Sequence, residues 1–309
     1  MARRPDGELW KSRNWTGEDS YVLGMAKYVA GPGLERVRYT CERYRLRETT
    51  HVDVLSYFPI RNDWDREHPA SGVKNLEARY RVFDEFKKRG IDVSSEALRY
   101  AFIGRVSCFW YAQGPRACPF GGKPIPLLPL IYRKSAVWGQ SGNRPAYVDR
   151  LLHMLFYNGC AHMIIRADMT PAAITDHFYL MMVPWFRLRG HNIESFRRDG
   201  ERTLIGLEGG ASIYIDWSRK TYVVTDSGAE ITRDQTTTCP LDGDRIAFYA
   251  TEEKDLSAPL PAGWDAGRVA AFALSTTARE PVAARVEAGR IRVTVPPRTA
   301  VVAYRSGRT

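Results

Sequence analysis

The sequence has no stretch of about 20 consecutive apolar residues, the length that a membrane-spanning helix requires. Basic residues follow Met1, but no apolar run comes after them, so the pattern of a secretory signal peptide is missing. These absences predict no membrane partner and a cytoplasmic location. If a further N-terminal region precedes this sequence, we expect secretion instead.

Cysteine and histidine are scarce and lack the spacing of a metal site. The 5 cysteines form no Cys-x-x-Cys pair, and the 6 histidines form no His-x-x-x-His pair. We therefore expect reduced or incidental thiols, no bound metal and no cofactor.

A long basic run is also missing, although the formal net charge is +10. The Arg and Lys residues are scattered, which is typical of a solvated surface. A nucleic-acid binder is suggested only by the net charge, and we predict no nucleic-acid partner.

The hydrophobic pattern divides the chain into two halves. Strand-like runs alternate with helical periods as far as about residue 185, which is typical of an α/β fold. After Gly190, short runs of alternating polarity are separated by Gly, Asp and Pro turns, as in an antiparallel β-sandwich. We predict a partial (β/α) TIM-type barrel over residues 1–188, followed by an antiparallel β-sandwich domain over residues 189–309.

Within the first half, apolar spacing predicts a helix over residues 73–89, between short strands at 51–55 and 91–96. A further helix is expected over residues 147–157, and apolar runs occupy residues 125–131 and 161–165. A complete barrel needs about 250 residues, and about four strand–helix units are recognisable here.

Two acidic residues come at equivalent points of successive strand–helix units. Asp53 lies in the first of the two strands and Glu96 ends the second. Parallel strands present such groups at one edge of the sheet, and glycoside hydrolysis needs a pair of carboxyl groups there. We predict Asp53 as the nucleophile and Glu96 as the acid/base. The alternative is that Asp53 caps a helix or forms an ion pair and that Glu96 lies on the surface.

The segments His51–Val54 and Ser95–Leu98 resemble the two catalytic strands of the endo-α-N-acetylgalactosaminidases, glycoside hydrolase family 101, and of the related family 129. Residues 126–129 with the following 137–142 resemble a late barrel strand and a Trp-Gln-Gly element of that family. Residues 258–264 resemble a Leu-Pro turn of its C-terminal sandwich.

This resemblance implies a retaining hydrolase of α-linked N-acetylgalactosamine on glycoproteins or glycans, with a carbohydrate or glycoprotein as its partner. It implies that Trp138 and Gln140 contact the sugar, or Gly139 if the register slips by one. Trp110 and His51 are also predicted substrate contacts. A packed core position is the alternative for both Trp138 and Trp110.

No segment of the chain matches the early barrel strands of that family. Either a further N-terminal half or another copy of the chain, in a homo-oligomer, would then complete the sheet. The alternative function is a catalytically silent glycosidase remnant that at most binds carbohydrate.

Overall fold

A computed structural model describes residues 1–12, 17–112, 121–140, 147–159, 167–275 and 277–305, without the side chains at positions 140, 147, 148 and 150. The chain forms two compact units. The first comprises Met1–Gly114 and Ser135–Ser141, and the second comprises Pro115–Lys134 and Gly142–Thr309. The division between residues 188 and 189 stays a prediction of domain organisation.

The described part of the first unit contains three α-helices and a parallel sheet. The helices are α1 (Met25–Ala30), α2 (Gly33–Arg43) and α3 (Gly72–Lys87). The strands are β1 (Thr49–Val52), β2 (Asp92–Ala97), β3 (Cys108–Ala112) and β4 (Val137–Gln140). They lie in the order β1-β2-β3-β4, and each neighbouring pair is parallel. The predicted α/β architecture is confirmed, whereas these four strands do not show the partial TIM-type barrel, which stays a prediction.

Helix α3 begins and ends close to the predicted residues because both ends carry local stop signals. The Ser71 side chain accepts a hydrogen bond from the backbone N–H of Lys74, which caps the first turn. Gly90, after the last turn, has a φ of 68°, a conformation that glycine adopts without steric cost. Phe83 is fully buried and packs edge-to-face on Phe102, and α3 contacts β2, so the helix covers one face of the sheet.

The second unit holds the remaining helices and the antiparallel strands. Its helices are α4 (Leu127–Tyr132), α5 (Tyr147–Tyr157), α6 (Pro171–His177) and α7 (Val183–Leu188), and a π-helical turn at Phe178–Met182 joins α6 to α7. Its strands are β5 (Ile193–Asp199), β6 (Arg202–Leu207), β7 (Ser212–Asp216), β8 (Thr221–Asp226), β9 (Ala229–Arg233), β10 (Thr236–Pro240), β11 (Arg245–Ala250), β12 (Lys254–Pro259), β13 (Val269–Leu274), β14 (Arg279–Val282), β15 (Ala284–Glu287), β16 (Arg290–Val295) and β17 (Ala300–Arg305).

These strands form two antiparallel sheets. The larger has ten strands in the order β14-β13-β17-β11-β10-β9-β8-β7-β6-β5, and the smaller has the order β12-β16-β15. Strand β11 is buried on both faces. Phe248 belongs to a core shared with Ile291 and Val293 of the smaller sheet, whereas Tyr249 packs with Leu180 of the π-helical turn.

The apolar run over residues 125–131 is a helix and not the late barrel strand that the resemblance implied. Pro126 lies just before α4 and Pro129 lies in its first turn. Proline has no N–H for a strand ladder, but the first turn of a helix needs no such donor, so these prolines suit a helix start. The strand of this region follows at β4. The apolar run at 161–165 lies outside the described residues.

Among the described helices, none combines the length and the apolar character needed to cross a membrane.

Candidate active site

The two predicted catalytic acids come directly after paired residues of β1 and β2. Val52 is paired with Ser95, and Asp53 and Glu96 are the next residues along the two parallel strands. Neighbouring strands lie about 4.8 Å apart, so the two acidic residues occupy neighbouring positions near the carboxyl ends of β1 and β2.

One face of the sheet carries polar and aromatic groups at this edge. His51 Nδ1 lies 3.0 Å from Ser94 Oγ in a hydrogen bond between β1 and β2, which places both side chains on one face. The indole of Trp110, on β3, stacks on the His51 ring with a centroid separation of 3.9 Å and an interplanar angle of 15°. Because side chains alternate along a strand, Glu96 shares the face of Ser94.

Asp53 is open to solvent, with 70% of its side chain exposed. Its Oδ1 accepts a hydrogen bond of 2.9 Å from the backbone N–H of Val54 and lies 3.7 Å from His51 Nε2. Val54 has a φ of 49°, in the left-handed region that a β-branched residue rarely adopts. The chain thus turns sharply just after the acid and stores backbone strain there.

The turn after Asp53 is held by groups from two other elements. Ser95 Oγ donates to the carbonyl of Val52 and accepts from the backbone N–H of Ser56, so β2 fixes both sides of the acid. The Arg79 guanidinium of α3 donates to the carbonyls of Phe58 and Pro59, at 2.6 and 3.1 Å.

Arg79 is itself buried, and burial, with a smaller effect of Arg99, lowers the pKa of its guanidinium to about 10. Arg99 is half-buried and donates to the carbonyl of Tyr57 through Nε and Nη2. Two arginines therefore hydrogen-bond to the loop that follows Asp53, and these bonds restrict the position of Asp53.

Glu96 has a different environment from Asp53. The Tyr111 hydroxyl donates to Glu96 Oε1 at 3.3 Å, while Oε2 is buried without a hydrogen-bond partner. Burial and, second, the charge of Asp53 raise the pKa of the Glu96 carboxyl, and the Tyr111 hydrogen bond and His51 oppose this rise. Burial and the nearby Glu96 also raise the pKa of the Tyr111 hydroxyl, which stays a donor.

The two carboxyl groups are thus adjacent but unlike. An exposed carboxylate can act as a nucleophile, and a half-buried carboxyl with a raised pKa can hold a proton for transfer. This difference is what a nucleophile and an acid/base require of their surroundings.

A recess of about 310 Å³ reaches Asp53 from the side of the helices. Its walls are mostly apolar, with side chains of α1, α2 and α3, and Asp53 and Arg79 are its charged lining residues. The volume is at the lower end of the range of small-molecule sites. Within the described residues, no three His, Cys, Asp or Glu side chains are placed to hold a metal ion.

Two other predicted sugar contacts, Trp110 and Trp138, lie on opposite faces of the sheet. Trp110 is 54% exposed on the face of Glu96, whereas Trp138 is 1% exposed. Trp138 is paired with the buried Phe109, so its indole lies on the opposite, packed face and cannot contact a sugar at the acids. The core position left open as its alternative is the one found. The side chain of Gln140 lies outside the described residues.

Sequence reasoning missed the polar groups that support the two acids. Arg79 had a usable signal, because it follows Asn75 by four residues and precedes Val82 by three, on the buried side of α3. Ser94 and Ser95 precede Glu96 directly, and their alternation predicts one hydroxyl on each face. The hydrogen bond from Tyr111 to Glu96 had no signal in the sequence.

Comparisons with known proteins support the fold alone. No family model matches the chain, and no curated protein matches it. The α-N-acetylgalactosaminidase NagBb of Bifidobacterium bifidum, in a quadruple mutant, has a similar structure, with a TM-score of 0.60 and 20% identity. That match covers 72% of this chain and 38% of the bifidobacterial chain.

The complex of NagBb with GalNAc has a TM-score of 0.58 and 19% identity, over 74% of this chain and 39% of NagBb. The chain thus spans about two fifths of the length of these structures. What this chain shares with these structures is the fold, at low sequence identity.

Proposed function

We propose that this chain carries the catalytic carboxyl pair of a retaining glycoside hydrolase that cleaves α-linked N-acetylgalactosamine from glycoproteins or glycans. The single observation that carries this proposal is the pairing of β1 with β2. It brings Asp53 and Glu96 to adjacent positions with opposite environments.

In the first step, Asp53 attacks the anomeric carbon and forms a glycosyl ester, and the bond to the leaving oxygen breaks. Glu96, whose raised pKa favours the protonated form, donates a proton to the leaving oxygen. In the second step, Glu96 takes a proton from water. The resulting hydroxide attacks the anomeric carbon and releases Asp53. Two inversions give net retention.

The register supports retention because retaining enzymes keep their carboxyl groups about 5–5.5 Å apart, close to the spacing of neighbouring strands. An inverting enzyme needs room for a water between them and a wider separation. Adjacent positions on paired strands favour the shorter distance.

The choice of sugar is supported by the fold and by the segments around the acids. NagBb is an α-N-acetylgalactosaminidase whose structure was also solved with GalNAc. The segments that resemble families with this specificity, His51–Val54 and Ser95–Leu98, meet at the Val52–Ser95 pair of β1 and β2. The exposed indole of Trp110 offers an apolar face beside them, as sugar sites commonly do.

Hydrolysis of an aryl α-N-acetylgalactosaminide by the full chain tests the proposal. We expect Asp53→Asn to lower kcat by on the order of 10⁴-fold, since it removes the nucleophile. We expect Glu96→Gln to lower kcat/KM by about 10²–10⁴-fold on substrates with poor leaving groups. The anomeric configuration of the first product, followed by proton NMR, should be retained.

The matched control is Asp199→Asn, the same change at an exposed residue ending β5, which should leave kcat unchanged. Full activity of Asp53→Asn would exclude Asp53 as the nucleophile. An inverted product would exclude the two-step mechanism, and an inactive wild-type chain that binds the sugar would favour a silent, carbohydrate-binding remnant.

A further inference from the structure

His51 makes contacts that a residue binding the sugar would not need. Its Nδ1 is engaged by Ser94 Oγ at 3.0 Å, and one face of its ring is covered by Trp110. Its Nε2 is buried, has no hydrogen-bond partner, and lies 3.7 Å from Asp53 Oδ1. Little of the ring is left to meet a substrate.

The hydroxyl of Ser94 gives the ring a fixed orientation. Ser94 Oγ also lies 3.4 Å from the carbonyl of Thr50, but its single proton serves one acceptor; when that acceptor is His51 Nδ1, the neutral ring carries its own proton on Nε2. Stacking on Trp110 removes the remaining freedom to flip or tilt. The ring is therefore held with Nε2 directed towards Asp53, two residues further along β1.

An Nε2–H directed at Asp53 distinguishes the two oxygens of that carboxylate. Oδ1 already accepts from the backbone N–H of Val54 and faces His51. Oδ2 takes part in none of the described contacts and is left for attack on the anomeric carbon. Catalytic hydrogen bonds are often long in a free enzyme and shorten in the complex, so a separation of 3.7 Å suits this role.

We propose that His51 is a positioning residue that holds the Asp53 carboxylate by Oδ1, with Ser94 and Trp110 fixing its ring, so that Oδ2 is the attacking oxygen. This inference rests on the proposed function. It replaces direct contact with the sugar as the role of His51. His51 transfers no proton in this step: the proton comes from Glu96, and the electron pair of the broken bond goes to the leaving oxygen.

Two variants of His51 test the proposal by steady-state kinetics on the aryl glycoside. His51→Phe keeps a ring for Trp110 but has no donor, so we expect kcat to fall about 100-fold, as a misplaced reacting group does, while KM stays within about twofold. His51→Gln can direct an amide N–H at Oδ1, and should recover about tenfold of that loss. His68→Gln, an exposed histidine in the loop after β1, is the matched control and should be unchanged.

A rise in KM with kcat unchanged would overturn the proposal and restore His51 as a sugar contact. An unchanged kcat in His51→Phe, or the same loss of kcat in both variants, would also overturn it. Thermal unfolding of each variant separates these results from a failure to fold.

An NMR experiment tests the positioning role without any activity. In the ¹⁵N-labelled chain, Asp53→Asn should shift the His51 Nε2 resonance, and Ser94→Ala should shift the Nδ1 resonance. If Asp53→Asn moves neither nitrogen, His51 does not hold Asp53, even where hydrolysis is normal. If the nitrogens respond as expected but the wild-type chain hydrolyses no glycoside, the proposed function fails and the contact stands.

Discussion

The parallel sheet and the antiparallel sheets differ in whether their buried polar side-chain atoms have hydrogen-bond partners. Among the described residues, most buried side-chain N and O atoms without a hydrogen-bond partner lie in the first unit, and the rest precede β5 in the second. They include Trp10 Nε1, His51 Nε2, Ser56 Oγ, Arg79 Nε and Glu96 Oε2 in the first unit and Arg133 Nε in the second. No such atom is found in the described residues from β5 to β17.

Buried polar atoms without partners are rare in folded proteins because each carries a desolvation cost of about 1–3 kcal/mol. Three of them, on His51, Ser56 and Glu96, lie at the ends of β1 and β2, and the strained Val54 lies beside them. The antiparallel strands instead bury apolar groups, as β11 does over residues 246–250. The contrast teaches that the first unit gives up stability that the antiparallel strands keep, and that part of this loss lies at the candidate site.

The largest expected difference in the free energy of unfolding is between substitutions of two aromatic residues. Phe248→Ala should lower the free energy of unfolding by about 3–5 kcal/mol, because Phe248 is fully buried between two sheets. Trp110→Ala should change it by only about 0.5 kcal/mol, since the indole is half exposed, yet should reduce glycoside hydrolysis. Urea unfolding and kinetics on the same samples check both. A large stability loss in Trp110→Ala would show that this indole is part of the core.

Replacement by glycine at two valines should change the free energy of unfolding in opposite directions. Val54→Gly relieves a left-handed conformation worth about 1–2 kcal/mol, less the entropy cost of glycine, so the chain should gain up to about 1 kcal/mol. Val224→Gly, in the fully buried middle of β8, should cost about 3 kcal/mol. Urea midpoints compare the two. If Val54→Gly destabilises the chain, the turn after Asp53 is not strained.

The smallest effects concern two glutamates whose pKa values move in opposite directions. The pKa of Glu96 is raised on folding by burial and by Asp53, so ionisation of Glu96 disfavours the folded state as pH rises through and above its ordinary value of 4.5. Glu96→Gln should therefore gain stability, relative to the wild type, as pH rises from 4 to 8.

Glu208 is the matched control in the second unit. Hydrogen bonds from Lys134 and from the backbone of Asn192 lower its pKa, so its charge stabilises the fold above its ordinary value of 4.5, and that contribution is lost as the pH falls through the lowered value. Glu208→Gln should therefore lose stability, relative to the wild type, over the same rise in pH. Thermal unfolding at several pH values measures both slopes, and slopes of equal sign would refute the assigned environments.

Local patterns predicted the elements whose signals lie within a few residues. The apolar period predicted α3, and short apolar runs predicted β1 and β2. The run at 125–131 was misread because apolar content alone does not separate a strand from a helix, and the prolines decided for α4.

The candidate site was predictable only in part, for the same reason. Asp53 and Glu96 follow from their positions at the ends of successive strands. The face on which Trp110 and Trp138 lie depends on register between β3 and β4, which is irregular here. A shift of one residue exchanges the two faces of a strand, so the sequence could not choose between sugar contact and core for either indole.

The sequence by itself determined that two acids follow two short strands and that one helix with a buried face separates them. Only the tertiary structure decided that the pKa of Glu96 is raised, and which oxygen of Asp53 faces His51. The pKa of Glu96 depends on burial and on Asp53, and the orientation of His51 depends on Ser94 and Trp110. These groups come from different strands, so their distances are set by how the sheet packs and not by any local pattern.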